Sequence, residues 1–191
     1  MANTVSGTLK VSASYSISKP QDGAAATKAE GTNNTSCAIA STTTATSLGG
    51  GDLIYGPVVR TLTASSNETL DLSGSLSNLV GDTSIAFARV KMILVELLSA
   101  AQTTDDGVVG TAATSILVGG AASNQALAGS GKMLADTSDK VRVLNGGFFA
   151  WGAGTAAGVT VANASTDSLK VENEDGAVSA KYRITVWGAS S

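Results

Sequence analysis

Val178-Ser179-Ala180-Lys181-Tyr182-Arg183-Ile184-Thr185-Val186-Trp187 sets Ala180, Tyr182, Ile184 and Val186 on one side of an extended chain, and Lys181, Arg183, Thr185 and Trp187 on the other. Successive side chains of an extended backbone point to opposite faces, so this alternation is the period of a strand with one buried face. Working back from it, Ser168 to Glu172 reads as another strand. The link between the two, Asn173 to Ala177, contains Asp175-Gly176, a dipeptide that suits the positive backbone angles of a hairpin turn. A terminal hairpin is therefore expected.

Further short strands are expected at Gly158 to Ala162, Phe148 to Trp151, Lys140 to Leu144 and Ser115 to Val118. The apolar density of Ile85 to Leu98 suits a buried helix as well as a long central strand. Arg89 and Lys91 stand two apart, with Val90, Met92 and Leu94 on the opposite side, and this spacing favours the strand. Pro57 to Thr63 and Thr69 to Ser73 flank the turn-like Ala64 to Asn67 and read as a second hairpin. Near the start, Leu9, Val11, Ala13, Tyr15 and Ile17 alternate with Lys10, Ser12, Ser14 and Ser16, another half-buried strand. From Lys19 to Gly51 the pattern dissolves into Ala, Thr, Ser, Asn and Gly, with Pro20 and Gly49-Gly50-Gly51 as breakers, which reads as a long loop or extended arm.

Many short strands, with 22 glycines marking turns, predict an all-β chain: an antiparallel β-sandwich or jelly-roll-like single domain with an extended N-terminal arm or loop. The expected division is 1–56 for the first strand and arm, and 57–191 for the β-sandwich domain. Hydrophobic residues make up 43% but aromatics only 4%, so the core must be built from Val, Leu, Ile and Ala. Charged residues are 14% and the net charge is -3. No basic patch points to nucleic acid, and sparse charge lets like subunits pack closely with little repulsion. Met1 to Ser6 shows neither a basic nor an apolar run, so no secretory leader is expected. Ile85 to Leu98 is too short and too charged to span a membrane.

The chain has no histidine and one cysteine, Cys37, which removes imidazole bases, thiolate zinc sites and an intrachain disulfide. The acidic pairs, Asp105 with Asp106 and Glu172 with Glu174 and Asp175, fall in polar turns, where carboxylates keep ordinary acidity rather than the raised pKa of a general acid. The last group is spaced differently from an EF-hand loop. Gly152-Ala153-Gly154-Thr155-Ala156-Ala157 fits a loose dinucleotide fingerprint, but Val159-Thr160-Val161 follows as a strand, so no helix dipole meets a phosphate. Gly131-Lys132 matches only the end of a P-loop, with Ala126 and Met133 where Gly and Ser or Thr belong. The glycosylation sequons beginning at Asn33, Asn34, Asn67 and Asn163 are explained by the abundance of Ser and Thr. No catalytic residue, cofactor or metal is expected. Tyr55, Trp151, Tyr182, Arg183 and Trp187 are the candidates for a partner or sugar surface, because aromatics and arginine carry large contact areas.

Three stretches resemble small structural proteins of tailed bacteriophages. They are Arg60-Thr61-Leu62 through Leu70-Asp71-Leu72-Ser73-Gly74-Ser75-Leu76 to Phe87-Ala88-Arg89-Val90-Lys91; Val118-Gly119-Gly120-Ala121-Ala122-Ser123-Asn124; and Asp167-Ser168-Leu169-Lys170-Val171 with Tyr182-Arg183-Ile184-Thr185-Val186-Trp187-Gly188. The resemblance implies a non-enzymatic virion protein: a capsid decoration, cement or minor capsid subunit, or a tail-associated one. Its expected partners are its own copies and virion proteins such as the major capsid protein; since exposed sheet edges invite pairing, closed symmetric assembly that hides them, a trimer first, is the expected arrangement. A tail or spike subunit that binds a host-surface glycan, and a self-assembling coat protein, are the alternatives.

Overall fold

The computed structural model describes residues 7–21, 24–39, 51–74, 76–77, 84–104, 107–129, 132–153 and 157–190, the first two ranges as backbone. The regular structure among them is entirely β, with no helix. Eleven strands follow in order: β1 (Gly7–Gln21), β2 (Ala24–Ile39), β3 (Leu53–Leu62), β4 (Asn67–Asp71), β5 (Arg89–Leu97), β6 (Ser115–Gly119), β7 (Lys140–Leu144), β8 (Phe148–Gly152), β9 (Val159–Thr160), β10 (Ser168–Asn173) and β11 (Ala180–Ala189). β1 and β2 pair with each other, from Gly7 opposite Ile39 to Gln21 opposite Ala24. The rest form a four-stranded sheet in the order β4-β10-β6-β7 and a five-stranded sheet in the order β3-β11-β5-β8, with β9 also on β5. Every strand pairing is antiparallel. From β3 onward the chain changes sheet at every link except β6 to β7 and β8 to β9.

The two sheets pack on a shared core. Leu70, Ile116, Val118, Val143, Leu169 and Val171 enter it from the four-stranded sheet, and Leu62, Ile93, Val95, Leu97, Ile184 and Val186 from the five-stranded one. β10 shows the cause most plainly, since Leu169, Val171 and Asn173 are buried while the residues between them are half-buried. Each such aliphatic side chain contributes about 1.5–3 kcal/mol on leaving water, which lets a chain poor in aromatics build a core.

Two irregularities set the phase of the five-stranded sheet. Trp187 of β11 faces Met92, yet Gly188 faces Val90, so Lys91 is an extra residue in β5. Such a bulge shifts every later side chain to the other face. Val90 therefore points into the core before it, and Ile93, Val95 and Leu97 after it. This corrects the expected grouping of Val90, Met92 and Leu94 on one face. Lys91 itself is 4% exposed, and burial pushes its ammonium below the usual range, with Arg89 adding repulsion. In β3, Val58 faces Ile184 and Tyr55 faces Val186, which leaves one extra residue at Gly56-Pro57. Gly56 has φ +93°, and a Cβ there would fall on the carbonyl oxygen of Ile184, so only glycine fits.

Both expected hairpins are corrected. β3 and β4 lie in different sheets, as do β10 and β11. β10 already has β4 and β6 as neighbours, and β11 has β3 and β5, so no edge is left for the two to share. Gly176 is not among the glycines with positive φ. The carboxylate of Asp175 instead accepts the backbone N–H groups of Ala177 (2.9 Å) and Val178 (3.0 Å) as the chain crosses between sheets. The stretch read as loop or arm contains β2, because backbone pairing to β1 needs no apolar alternation in the partner. β3 also begins at Leu53, ahead of the expected Pro57, since its pairing with β11 resumes beyond the irregularity.

Candidate functional site

Tyr55 and Tyr182 lie on the inward face of the five-stranded sheet, 2% and 0% exposed. Arg60 stands directly opposite Tyr182 on β3. Across the core, Glu68 of β4 accepts from the Tyr182 hydroxyl at 2.6 Å and from Arg60 Nε at 2.7 Å. Arg60 Nη1 also donates to the Tyr55 hydroxyl at 3.1 Å. The bond to Glu68 holds the Arg60 guanidinium above its already high ordinary pKa. Burial, then the same carboxylate, raises that of the Tyr182 phenol. A cavity of about 130 Å³ opens beside the cluster, lined by Tyr55, Arg60, Thr69, Leu70, Asp71, Leu76 and Ser77. Glu68 of the four-stranded sheet thus binds Tyr182 and Arg60 of the five-stranded one, so the cluster braces one sheet against the other.

The other candidates are not gathered with these. Arg183 faces Glu96 across β5 and donates Nε to it at 2.6 Å. Trp187, on the same outward face, stands opposite Met92 and Ile54, and its indole N–H is buried without a partner. Trp151 faces Ile93 and packs partly buried against the core.

At the acidic turn, Glu172 accepts from Lys140 (2.9 Å) and Lys170 (3.0 Å). Glu174 accepts from Arg142 through two bonds of 2.8 Å and from the Ser115 hydroxyl at 2.8 Å. These partners hold both carboxyls below the usual carboxylate range, and the amides of Ala177 and Val178 do the same for Asp175. A carboxyl held ionised in this way is a poor proton donor near neutral pH. Among the described residues no three His, Cys, Asp or Glu side chains are grouped to hold a metal ion. Asp105 and Asp106 lie outside the described residues.

Among the described residues three large apolar side chains are left open. Val109, Leu144 and Phe148 are 51%, 63% and 55% exposed. Leu144 ends β7 and Phe148 begins β8, on either side of Asn145-Gly146-Gly147. That turn is anchored: the Asn145 side chain donates to the carbonyls of Ala113 (2.6 Å) and Thr111 (3.1 Å), and Leu97 exchanges backbone bonds of 3.0 Å with Gly146 and Gly147. Two large apolar side chains are thus presented on a fixed corner. The expected candidate set omitted Leu144, Phe148, Arg60 and Glu68. The signal available for the first two was Phe148-Phe149-Ala150-Trp151-Gly152, a strand without a charge. No family model, no curated protein and no solved structure matches the chain.

Proposed function

We propose that the chain is a non-enzymatic structural subunit of a bacteriophage virion, a decoration, cement or minor capsid protein that stabilises the shell, built as a β-sandwich of the jelly-roll type. One observation carries the reading. The orders β3-β11-β5-β8 and β4-β10-β6-β7, with the chain switching sheet at nearly every link, correspond to the winding of an eight-stranded jelly roll, an architecture used by viral capsid and lectin domains. Architecture alone does not specify function, so the chemistry must agree with it. Here the described carboxylates of the acidic turn are committed to ion pairs or backbone amides, and the surface offers apolar corners and strand edges, which are features of assembly.

The ribbon of β1 and β2 fits the same reading. A lone two-stranded ribbon is marginally stable in water, so a neighbouring subunit that buries it would stabilise both. A glycan-binding tail or spike subunit is less well supported, because sugar stacking needs open rings whereas Tyr182 is buried and Trp151 packs toward the core. A self-assembling coat protein predicts closed shells from the purified chain alone. The decisive experiment is proteomic and thermal. Purified virions of the encoding phage should contain the chain at a fixed copy number per shell, and particles lacking it should release their genome at a lower temperature. Its absence from purified virions would end the proposal.

A further inference from the structure

We infer that the chain self-associates through the open edge of β8, two copies pairing antiparallel about Ala150 to make one continuous sheet. Unpaired strand edges invite pairing, and proteins that remain single blunt them with charge, proline or irregularity. Among the described residues the outermost strands of the two sheet orders are β3, β4, β7 and β8. β3 carries Pro57, its extra residue and Arg60; β4 carries Glu68 and Asp71; β7 carries Lys140 and Arg142. β8, Phe148-Phe149-Ala150-Trp151-Gly152, carries none of these.

The backbone shows which groups are available. Leu97 N–H donates to the Gly147 carbonyl at 3.0 Å, and Ala153 N–H donates to that of Lys91 at 2.8 Å. Alternate residues between them spend their amides on β5, so Phe148, Ala150 and Gly152 turn theirs toward the open edge. Pairing about Ala150 sets Phe148 of one copy opposite Gly152 of the other, a bulky residue against one without a side chain. Phe148, more than half exposed, lies on the pairing strand and would lose apolar surface to the seam.

The strand's own chemistry selects a second copy as the partner. An uncharged strand meets its duplicate without like-charge repulsion, and a two-fold axis makes the contact self-complementary. A three-fold ring would instead require β8 to meet a different edge, and each of those brings a charged side chain to the contact at a desolvation cost. The two-fold contact is thus an alternative to the expected trimer.

The inference deepens the assembly reading, and the two fail separately: the purified chain tests this contact, whereas virions test the role. In sedimentation velocity at micromolar concentration the chain should run as a dimer or a multiple of it. Ala150→Pro removes an edge amide and Ala150→Lys sets two cations face to face, so each should return it to monomer. Hydrogen-bonded antiparallel pairs hold Cα atoms about 5.5 Å apart, within the span of a disulfide. Ala150→Cys in a Cys37→Ser background should therefore give a cross-linked dimer on mild oxidation, a readout that needs neither disrupting variant to fold. A monomeric or trimeric parent, an oligomer that survives both substitutions, or the absence of the cross-link overturns the inference.

Discussion

Glu68 serves two donors from the opposite sheet, the Tyr182 hydroxyl through one oxygen and Arg60 through the other. Removing it strands a phenol on a residue 0% exposed and a guanidinium whose side chain is 35% exposed. The phenol's loss weighs more, because the half-open cation recovers water and its ion pair is partly screened. Glu68→Ala should cost about 2–3 kcal/mol in urea denaturation, and Tyr182→Phe about 1 kcal/mol. Since the two share one bond, the double variant should cost less than the sum of the singles. Strict additivity would show that the bond does not brace the sheets.

The corner after β10 ties strands together through charge, and its dependence on pH has a defined sign. Glu174 meets Arg142 of β7 and Ser115 of β6, and its pKa is lowered first by the bond to Arg142. A carboxyl whose folded pKa lies below its unfolded value of about 4.3 contributes stability above that value, and loses it as pH falls through the folded one. The difference in melting temperature between the parent and Glu174→Gln should therefore be widest near neutral pH and shrink as pH falls below the unfolded value and through the lowered folded one; a gap that stays constant with pH would refute the assignment. Strands such as β10 and β11 were legible because burial of one face imposes a two-residue period on composition. That period already placed Tyr182 with Ile184 and Val186, so its burial was implied even while its size suggested a surface. The inward face of β5 was not legible, because an extra residue such as Lys91 leaves no mark in composition. Neither were the strand partners of β10 and β11, since Asp175-Gly176 reverses a chain equally well within a sheet or between two. The open edge of β8 follows from neighbour order, which no local pattern encodes.

For the molecule as a unit, the question is whether the ribbon of β1 and β2 belongs to the folding body. The described core runs from Leu53, packed at its margin, to Val186, and the strands pairing around it begin with β3. β1 and β2 pair only with each other among the described residues. Residues 51–191 should therefore fold alone and unfold in one cooperative calorimetric transition, with a midpoint within a few degrees of the full chain's. For a body of this size about 1 kcal/mol moves the midpoint by roughly 2–8 °C, so the ribbon's own contribution should be of that order or smaller. A peptide of residues 7–39 should show little strand signal in water, because two strands without a third or a covering layer bury too little surface to offset the ordering of their backbone. If removing residues 1–50 instead lowered the midpoint by more than about 15 °C, equivalent to several kcal/mol, or left a body without cooperative melting, the ribbon would be part of the body's own core and not an element held in reserve for a neighbour.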